Sequence, residues 1–236
     1  MKILVSLWYW TIGFFFFSFC FVVILISILT LSREKTGEIT RLLFQIQLWL
    51  IGIKLVVKGH HHISKNQAYL IMGNHQSLFD IFVVPAGIPL CFVGIQAAHH
   101  FSYPLFGYLI QKWGNIPIDR NNLKSAMDSL EQAKKTIKKG MSICIMPEGH
   151  RTMTGRLEPF KKGPFHLAKA ARADILPFGI NGLYQYNRKG AFIINPGKVT
   201  VTFGKPILYD TIQTYSVEQL RDKVFDQISQ LSQQIE

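Results

Sequence analysis

Thirty consecutive residues, Ile3 to Ser32, carry no charge, and this stretch sets the first condition on any fold the chain adopts. About 20 apolar helical residues cross the hydrocarbon core of a bilayer, so it is long enough to span one with tilt. Phe14-Phe15-Phe16-Phe17 and Val22-Val23-Ile24-Leu25-Ile26 leave no polar face, unlike a helix that half-faces water in a soluble domain. A cleaved signal peptide has an apolar region about half as long and ends in a small-x-small site. No such site precedes Arg33. The expectation is a retained anchor over residues 1–32, either spanning the membrane or embedded in it. Lys2 stands alone on one flank, while Arg33, Lys35, Arg41, Lys54 and Lys58 follow on the other. The positive-inside bias then places residues 33–236 on the cytoplasmic side of the membrane.

The next segment, 33–56, is of a different kind. Leu42-Leu43-Phe44, Ile46, Leu48-Trp49-Leu50-Ile51 and Ile53 are punctuated by Gln45, Gln47 and Gly52. It is too short to span and broad-faced for a surface helix. It reads as an amphipathic interfacial helix with Trp49 at headgroup level, or as a helix that packs against the domain.

Residues 57–236 read as one domain. Over the whole chain, 26 Lys+Arg against 14 Asp+Glu give a net charge of +12 in 236 residues, with 48% hydrophobic and 17% charged residues. That balance excludes a disordered tail and a polytopic membrane protein. Cys20, Cys91 and Cys144 are dispersed and odd in number, which excludes a disulfide framework and a zinc ribbon and fits a reducing compartment. Short apolar runs predict strands at 55–58, 68–72, 91–94, 116–118, 142–146, 175–180, 192–194 and 199–203. Between them lie helical repeats. Leu123, Met127, Leu130, Ala133 and Ile137 recur at helical spacing, as do Val217, Leu220, Val224, Ile228 and Leu231. Ser216 with Gln219 reads as a capping box for the second of these. The fold class is α/β, with a mixed, largely parallel sheet flanked by helices and preceded by an N-terminal membrane helix.

Candidate chemistry begins at Gly73-Asn74-His75-Gln76-Ser77-Leu78-Phe79-Asp80, where a strand meets a helix near Ser77. Inside one helix, positions five apart lie about 140° from each other. His75 and Asp80 meet only if His75 sits on the turn before the helix. The carboxylate then holds one imidazole nitrogen and leaves the other as a general base. Read without chemistry, Ser77-x-x-Asp80 is a capping box and His75 a loop histidine. A second group, Met146-Pro147-Glu148-Gly149-His150-Arg151-Thr152, follows an apolar strand and so emerges at the sheet edge where open α/β sheets bind ligands. Arg151 can grip a phosphate bidentately, and Gly149 permits close backbone approach. The bland alternative is a Glu148–Arg151 surface pair in a turn. Gly114-Asn115-Ile116-Pro117-Ile118-Asp119-Arg120 adds another arginine after a short strand, and Ile175-Leu176-Pro177-Phe178 is an apolar strand suited to a pocket or a sheet edge.

Taken in order, these four blocks resemble the 1-acyl-sn-glycerol-3-phosphate acyltransferase (lysophosphatidic acid acyltransferase) family of the glycerolipid acyltransferases. That family carries N-H-x4-D, G-x-x-x-I-D-R, F-P-E-G-T-R-S and apolar-Pro blocks. They stand here as Asn74-His75 to Asp80, Gly114 to Arg120, Met146 to Thr152, and Leu176-Pro177-Phe178. Phe160-Lys161-Lys162-Gly163 is similar to the F-K-x-G element that follows the third block, and the resemblance extends from about residue 58 to 206. There are three departures. His150 replaces Thr, Met146 replaces Phe, and Ala97-Ala98-His99-His100 stands where many relatives carry a K-x-E-L stretch.

The resemblance implies a membrane-bound enzyme that moves a fatty acyl group from acyl-CoA or acyl-carrier protein to the sn-2 hydroxyl of lysophosphatidic acid, giving phosphatidic acid. His75 and Asp80 would be catalytic, while Arg120, Glu148, Gly149 and Arg151 would bind the acceptor. Neither a metal nor a cofactor is called for, the acyl thioester being a co-substrate. Within the superfamily, another lysophospholipid or an amphipathic alcohol is the alternative acceptor, since the expected lysine is absent. More distant alternatives are a non-enzymatic basic binding protein and a histidine-rich metal protein. No metal-ligand spacing and no nucleic-acid recognition motif is present, and a basic surface beside an anchor suits anionic headgroups.

Overall fold

The computed structural model describes residues 1–119 and 122–233. Seven strands form one sheet: β1 (Ile53–Lys58), β2 (Tyr69–Gly73), β3 (Phe92–Ala97), β4 (Ile116–Ile118), β5 (Ser142–Ile145), β6 (Asp174–Asn181) and β7 (Gly197–Phe203). Their order is β1-β7-β6-β2-β5-β3-β4. The run β6-β2-β5-β3-β4 is parallel, whereas β7 is antiparallel to β6 and parallel to β1. This is the mixed, largely parallel sheet expected from the sequence.

Alternation along each strand sorts side chains to two faces. Tyr69, Ile71, Leu176, Phe178 and Ile180 pack on one side, with α2 (Arg33–Leu50) and α3 (Asp80–Gly87). Leu70, Met72, Ile143 and Ile175 pack on the other. There they meet α5 (Leu123–Lys138), α6 (Gly163–Ala171) and α9 (Val217–Gln233). The short helices α4 (Phe106–Trp113), α7 (Leu183–Tyr186) and α8 (Tyr209–Ile212) complete the set. The capping box of α9 forms reciprocally: Ser216 N–H donates to Gln219 Oε1 at 2.8 Å, and Gln219 N–H donates to Ser216 Oγ at 3.1 Å. Of the α5 repeat, Ala133 and Ile137 are buried but Met127 is exposed.

α1 (Lys2–Thr30) folds back on α2 through Leu31-Ser32, with Ser32 Oγ accepting from Lys35 N–H and Thr36 Oγ1 donating to Ser27 O. Small residues recur every seven positions along α1, at Ser6, Gly13, Cys20 and Ser27, and this stripe faces the protein. A Cβ at Gly13 would come within 3.0 Å of the Ile51 side chain, and Gln47 Nε2 donates to Gly13 O at 3.0 Å. Cys20 and Ile24 belong to the same buried cluster as Val83 and Val201. α1 is therefore docked along the domain and not a free-standing rod. The segment 33–56 does not stay helical, because Gly52, at φ +81°, turns the chain from α2 into β1.

The strand expected at 192–194 is absent. Its backbone groups find other partners: Trp10 Nε1 donates to Phe192 O, Asn187 Nδ2 to Ile193 O, and Ile194 N–H to Ser6 Oγ. Pro177 does not lie on an edge strand. β6 is an interior strand, and Pro177 stands where the β6–β7 ladder breaks between the Phe178–Phe203 pair and the Ile175–Ile207 bridge. A strand residue lacking an N–H is tolerated at such a break.

Candidate active site

The C-terminal ends of the parallel strands bring the sequence blocks to one edge of the sheet. β2 stops at Gly73, where any Cβ would meet the Phe178 ring at 2.3 Å, so the chain can lie close to β6 only with glycine there. Asn74 then continues the pairing with its side chain: Nδ2 donates to Ile180 O at 2.9 Å and Oδ1 accepts from Ile180 N–H at 2.6 Å. Gln76 Oε1 accepts from the N–H groups of Leu183 and Tyr184 at the start of α7. Ser77 Oγ donates to Asn187 O at 2.8 Å. The loop 74–79 is thus fixed by three side chains to the end of β6 and the segment that follows it.

α3 begins at Asp80, three residues later than the sequence pattern places it, and His75 sits on the preceding turn. His75 Nδ1 lies 2.5 Å from Asp80 Oδ2, and the same oxygen accepts from Gln76 N–H at 2.9 Å and Ser77 N–H at 3.0 Å. Only half of the capping-box pattern forms, Ser77 N–H on Asp80 Oδ2, because α3 starts at Asp80 itself and Ser77 Oγ bonds elsewhere; the carboxylate closes the turn before the helix and orients the imidazole. The Asp80 side chain is 5% exposed and that of His75 27%. Among the described residues no group bonds to His75 Nε2, which leaves that nitrogen for an incoming proton.

Among the described residues no free protein nucleophile stands beside it. The Ser77 hydroxyl is buried and spent on Asn187 O. Cys144 lies beneath the loop, where burial above all, with the Asp80 carboxylate second, pushes its thiol pKa up and keeps it protonated.

Glu148 turns inward instead of pairing with Arg151. It is 1% exposed; Oε1 accepts from His75 N–H at 2.6 Å and Oε2 from Glu158 N–H at 2.8 Å. Burial raises its pKa to about 7, opposed by those two amides. Glu148 thus ties the loop after β5 to the backbone of His75. Thr152 N–H closes a second link, donating to His75 O at 2.9 Å. The Thr152 hydroxyl accepts from Thr154 and Gly155 N–H and donates to Arg156 O, shaping the turn that follows. Gly149 adopts φ +82° between Glu148 and His150. Arg151, half-buried in the same loop, has no acidic partner among the described residues. Arg120 lies outside the described residues. Asn74, Gln76, Thr152 and Asn187 hold the site together. Their sequence signal is a set of short polar side chains inside otherwise apolar strand ends, and without the fold it assigns them no partner.

A base with one ring nitrogen held by a buried carboxylate and the other open can remove a proton from a ligand hydroxyl, and Arg151 in the adjoining loop can hold an anionic group. Comparisons with known proteins point the same way. The acyltransferase family model matches residues 54–181. The chain is 36% identical over 164 residues to a 1-acyl-sn-glycerol-3-phosphate acyltransferase of Cocos nucifera, covering 69% of this chain and 53% of that one. For the Limnanthes alba protein of the same name, identity is 36% over 178 residues, covering 75% and 62%. The alpha protein of that name from Mus musculus is 30% identical, covering 79% and 66%. The chain therefore spans between about half and two thirds of the length of these curated relatives. In fold it is similar to the crystal structure of the 1-acyl-sn-glycerophosphate acyltransferase PlsC from Thermotoga maritima, with a TM-score of 0.81 at 23% identity, covering 97% of this chain and 93% of that one.

Proposed function

Because this chain belongs to the acyltransferase family, we propose that it is a membrane-bound O-acyltransferase that carries a fatty acyl group from acyl-CoA or acyl-carrier protein to the sn-2 hydroxyl of lysophosphatidic acid. The observation that carries this reading is the His75–Asp80 pair, whose Nε2 is open while no serine or cysteine beside it can act as nucleophile. The acceptor is then itself the nucleophile. His75 Nε2 takes the proton of its hydroxyl as the oxygen bonds to the thioester carbonyl carbon. The tetrahedral adduct collapses, the carbon–sulfur bond breaks, and the imidazolium returns the proton to the departing thiolate. Asp80 holds the tautomer and stabilises the imidazolium. The products are phosphatidic acid and the free thiol.

Arg151 grips the acceptor phosphate, joined by Arg120. Glu148 acts as a positioning residue, since both its oxygens are held by main-chain amides. Gly149, at positive φ, gives the turn that carries the chain from Glu148 towards Arg151. A second reading, in which the acceptor is another lysophospholipid, is favoured by residues 97–100. A histidine pair stands there in place of a lysine, and burial, with His99 adding to it, lowers the pKa of His100 and so its positive charge at neutral pH.

Membrane attachment follows from the two N-terminal helices. While Ser6, Cys20, Ile24 and Ser27 face the protein, Phe14, Phe15, Phe19 and Val22 face outward, and α2 adds Leu42, Ile46 and Trp49. Ser6 and Trp10 bind residues 192–194 near one end of α1, and Thr36 binds Ser27 near the other. A helix tied to the domain at both ends is better placed in the plane of the cytoplasmic leaflet than across the bilayer. The test is to offer purified full-length protein lysophosphatidate and other lyso-lipids with labelled acyl-CoA or acyl-carrier protein. Labelled phosphatidic acid is expected; transfer to none of the lyso-lipids overturns the reading.

A further inference from the structure

Charge in the loops after β5 and β6 is one-sided. Between Gly149 and Tyr209 the only acidic residues are Glu158 and Asp174. Asp174 begins β6 at the opposite edge of the sheet, where its carboxylate accepts from Tyr209 N–H and Gln67 Nε2. Arg156, Arg188 and Lys189 are exposed in the two loops, and none of the three has an acidic partner among the described residues. Like charges gathered without a counter-charge repel one another, and a bound anion relieves that repulsion.

Tyr184 joins the two loops. Its hydroxyl donates to Met153 O at 3.0 Å, and a Cβ at Gly155 would come within 2.7 Å of its ring, so the ring lies flat against that backbone. The Arg188 guanidinium covers the ring, 5.4 Å from its centroid. Arg188 opens a β-turn, with Ala191 N–H donating to Arg188 O at 3.0 Å and Gly190 at φ +78°, and the Asn187 side chain donates to Ala191 O. Both loops are also bonded to the loop of the base. Thr152 N–H donates to His75 O, Tyr184 N–H to Gln76 Oε1, and Ser77 Oγ to Asn187 O. The cations therefore stand on backbone already fixed relative to His75, which spares a ligand the cost of ordering it.

Arg151 precedes the turn at Thr152 and Arg156 follows it, with Thr152 Oγ1 donating to Arg156 O across the turn. Arg151 is assigned to the acceptor, which leaves Arg156, Arg188 and Lys189 for the other anion of the reaction, the thioester donor. An arginine fork matches phosphate oxygens, and one braced on an aromatic ring keeps its plane. Docking a carrier protein takes about 800 Å² on each partner. This patch is small and is bounded by Phe192, on which the Trp10 ring of α1 stacks at 6.5 Å. A compact, arginine-rich cluster fits the phosphates of a nucleotide better than the acidic face of a protein.

We propose that Arg156, Arg188 and Lys189 seat the phosphates of acyl-CoA, so that the nucleotide end of the donor rests beside Tyr184 while its thioester reaches His75. This rests on the acyl-transfer reading above, and a binding measurement separates the two. Arg156→Ala, Arg188→Ala and Lys189→Ala are made in the full chain, with Lys205→Ala, which follows β7 at the opposite edge, as the control. All four side chains are exposed, so melting temperatures should match wild type. Coenzyme A binding is measured by calorimetry in detergent, and KM for palmitoyl-CoA, for S-palmitoylpantetheine, which lacks the nucleotide, and for lysophosphatidate. Arg156→Ala and Arg188→Ala should each weaken coenzyme A binding and raise the palmitoyl-CoA KM about tenfold or more. Lys189→Ala should act in the same direction and Lys205→Ala should not. The KM values for S-palmitoylpantetheine and lysophosphatidate should stay within about twofold. No binding of coenzyme A to wild type overturns the proposal, and so do equal rises in KM for S-palmitoylpantetheine, which would make these residues shapers of the cleft. It is also overturned if the variants keep the palmitoyl-CoA KM but bind phosphatidylglycerol vesicles more weakly, because the phosphates held would then be those of lipid headgroups. Transfer from acyl-carrier protein alone overturns the nucleotide seat and leaves acyl transfer standing. Coenzyme A binding with the expected losses, but no transfer to any lyso-lipid, does the reverse.

Discussion

Replacing Asp80 with asparagine separates charge from geometry at the proposed base. Asp80 Oδ2 meets three donors, His75 Nδ1 and the N–H groups of Gln76 and Ser77, at 2.5–3.0 Å. An amide at this position must present its oxygen to them, because its NH2 would oppose three N–H groups in a buried site. The imidazole then keeps its proton on Nδ1 and Nε2 stays basic. What disappears is the negative charge that stabilises the imidazolium in the transition state. At 2.5 Å and an effective dielectric near 20, the full attraction is about 7 kcal/mol. Partial exposure of His75 and relaxation of the pair reduce this to roughly 3–5 kcal/mol, or a hundred- to a few-thousandfold in rate. The two main-chain bonds, now to a neutral acceptor, cost about 1–2 kcal/mol of stability together, a fall of a few degrees in Tm for a chain of this size. Asp80→Ala should show the same loss of kcat and a larger fall in Tm, because it leaves the buried Gln76 and Ser77 N–H groups with no acceptor at all. The assay is kcat and KM for acyl transfer alongside a melting curve. An Asp80→Asn enzyme within a few-fold of wild type refutes the reasoning.

Other outcomes follow from neighbouring contacts. With its pKa raised by burial from 4.5 to about 7, Glu148 stabilises the fold relatively more when protonated; its contribution is fully present below pH 4.5 and is lost as pH rises through about 7, on the order of 3 kcal/mol. Glu148→Gln should flatten the fall of Tm across that window and lower kcat, because one of two main-chain amides loses its acceptor; unchanged slopes contradict the assignment. Arg151→Ala should raise the acceptor KM about ten- to a hundredfold with little change in the thioester KM, and Arg151→Lys should recover only part. Equal losses of kcat with acceptors bearing and lacking the phosphomonoester would make Arg151 a shaping residue instead. Deleting residues 1–32 should leave weaker, salt-sensitive membrane binding through α2, yet abolish activity even in detergent, because Trp10 packs on Phe79 next to Asp80 at 5.5 Å. A truncated enzyme with full detergent activity would show that α1 serves attachment alone.

The sheet was legible because short apolar runs bounded by turn residues report strands directly, and the His75 and Glu148 blocks fell at the ends of β2 and β5, where chemistry is expected. Residues 192–194 misled because they are aromatic and β-branched, while their hydrogen bonds go to Trp10 and Ser6 from the far end of the chain and to the nearby Asn187 side chain. The docked face of α1 was hidden by its uniform apolarity. Its only sequence trace is the seven-residue spacing of Ser6, Gly13, Cys20 and Ser27, which takes on meaning once α2 lies against it. Glu148 was expected to face the ligand, since nothing local shows that a carboxylate beside a glycine will turn inward to the amide of His75, 73 positions away. The His75–Asp80 contact was predictable from spacing, whereas the clamps by Asn74, Gln76 and Ser77 depend on where β6 ends.

The central claim is that His75 is the general base for transfer to a lyso-lipid hydroxyl, and the most direct measurement is kcat for His75→Ala in the full-length protein. A general base contributes about 10²–10⁴-fold. Among the described residues Asp80 is the one side chain that bonds the imidazole, while the backbone links of His75 to Glu148 and Thr152 persist in the variant. The account predicts a loss of kcat in that range with a melting temperature close to wild type. A folded His75→Ala protein that transfers acyl groups within a few-fold of the wild-type rate would contradict it.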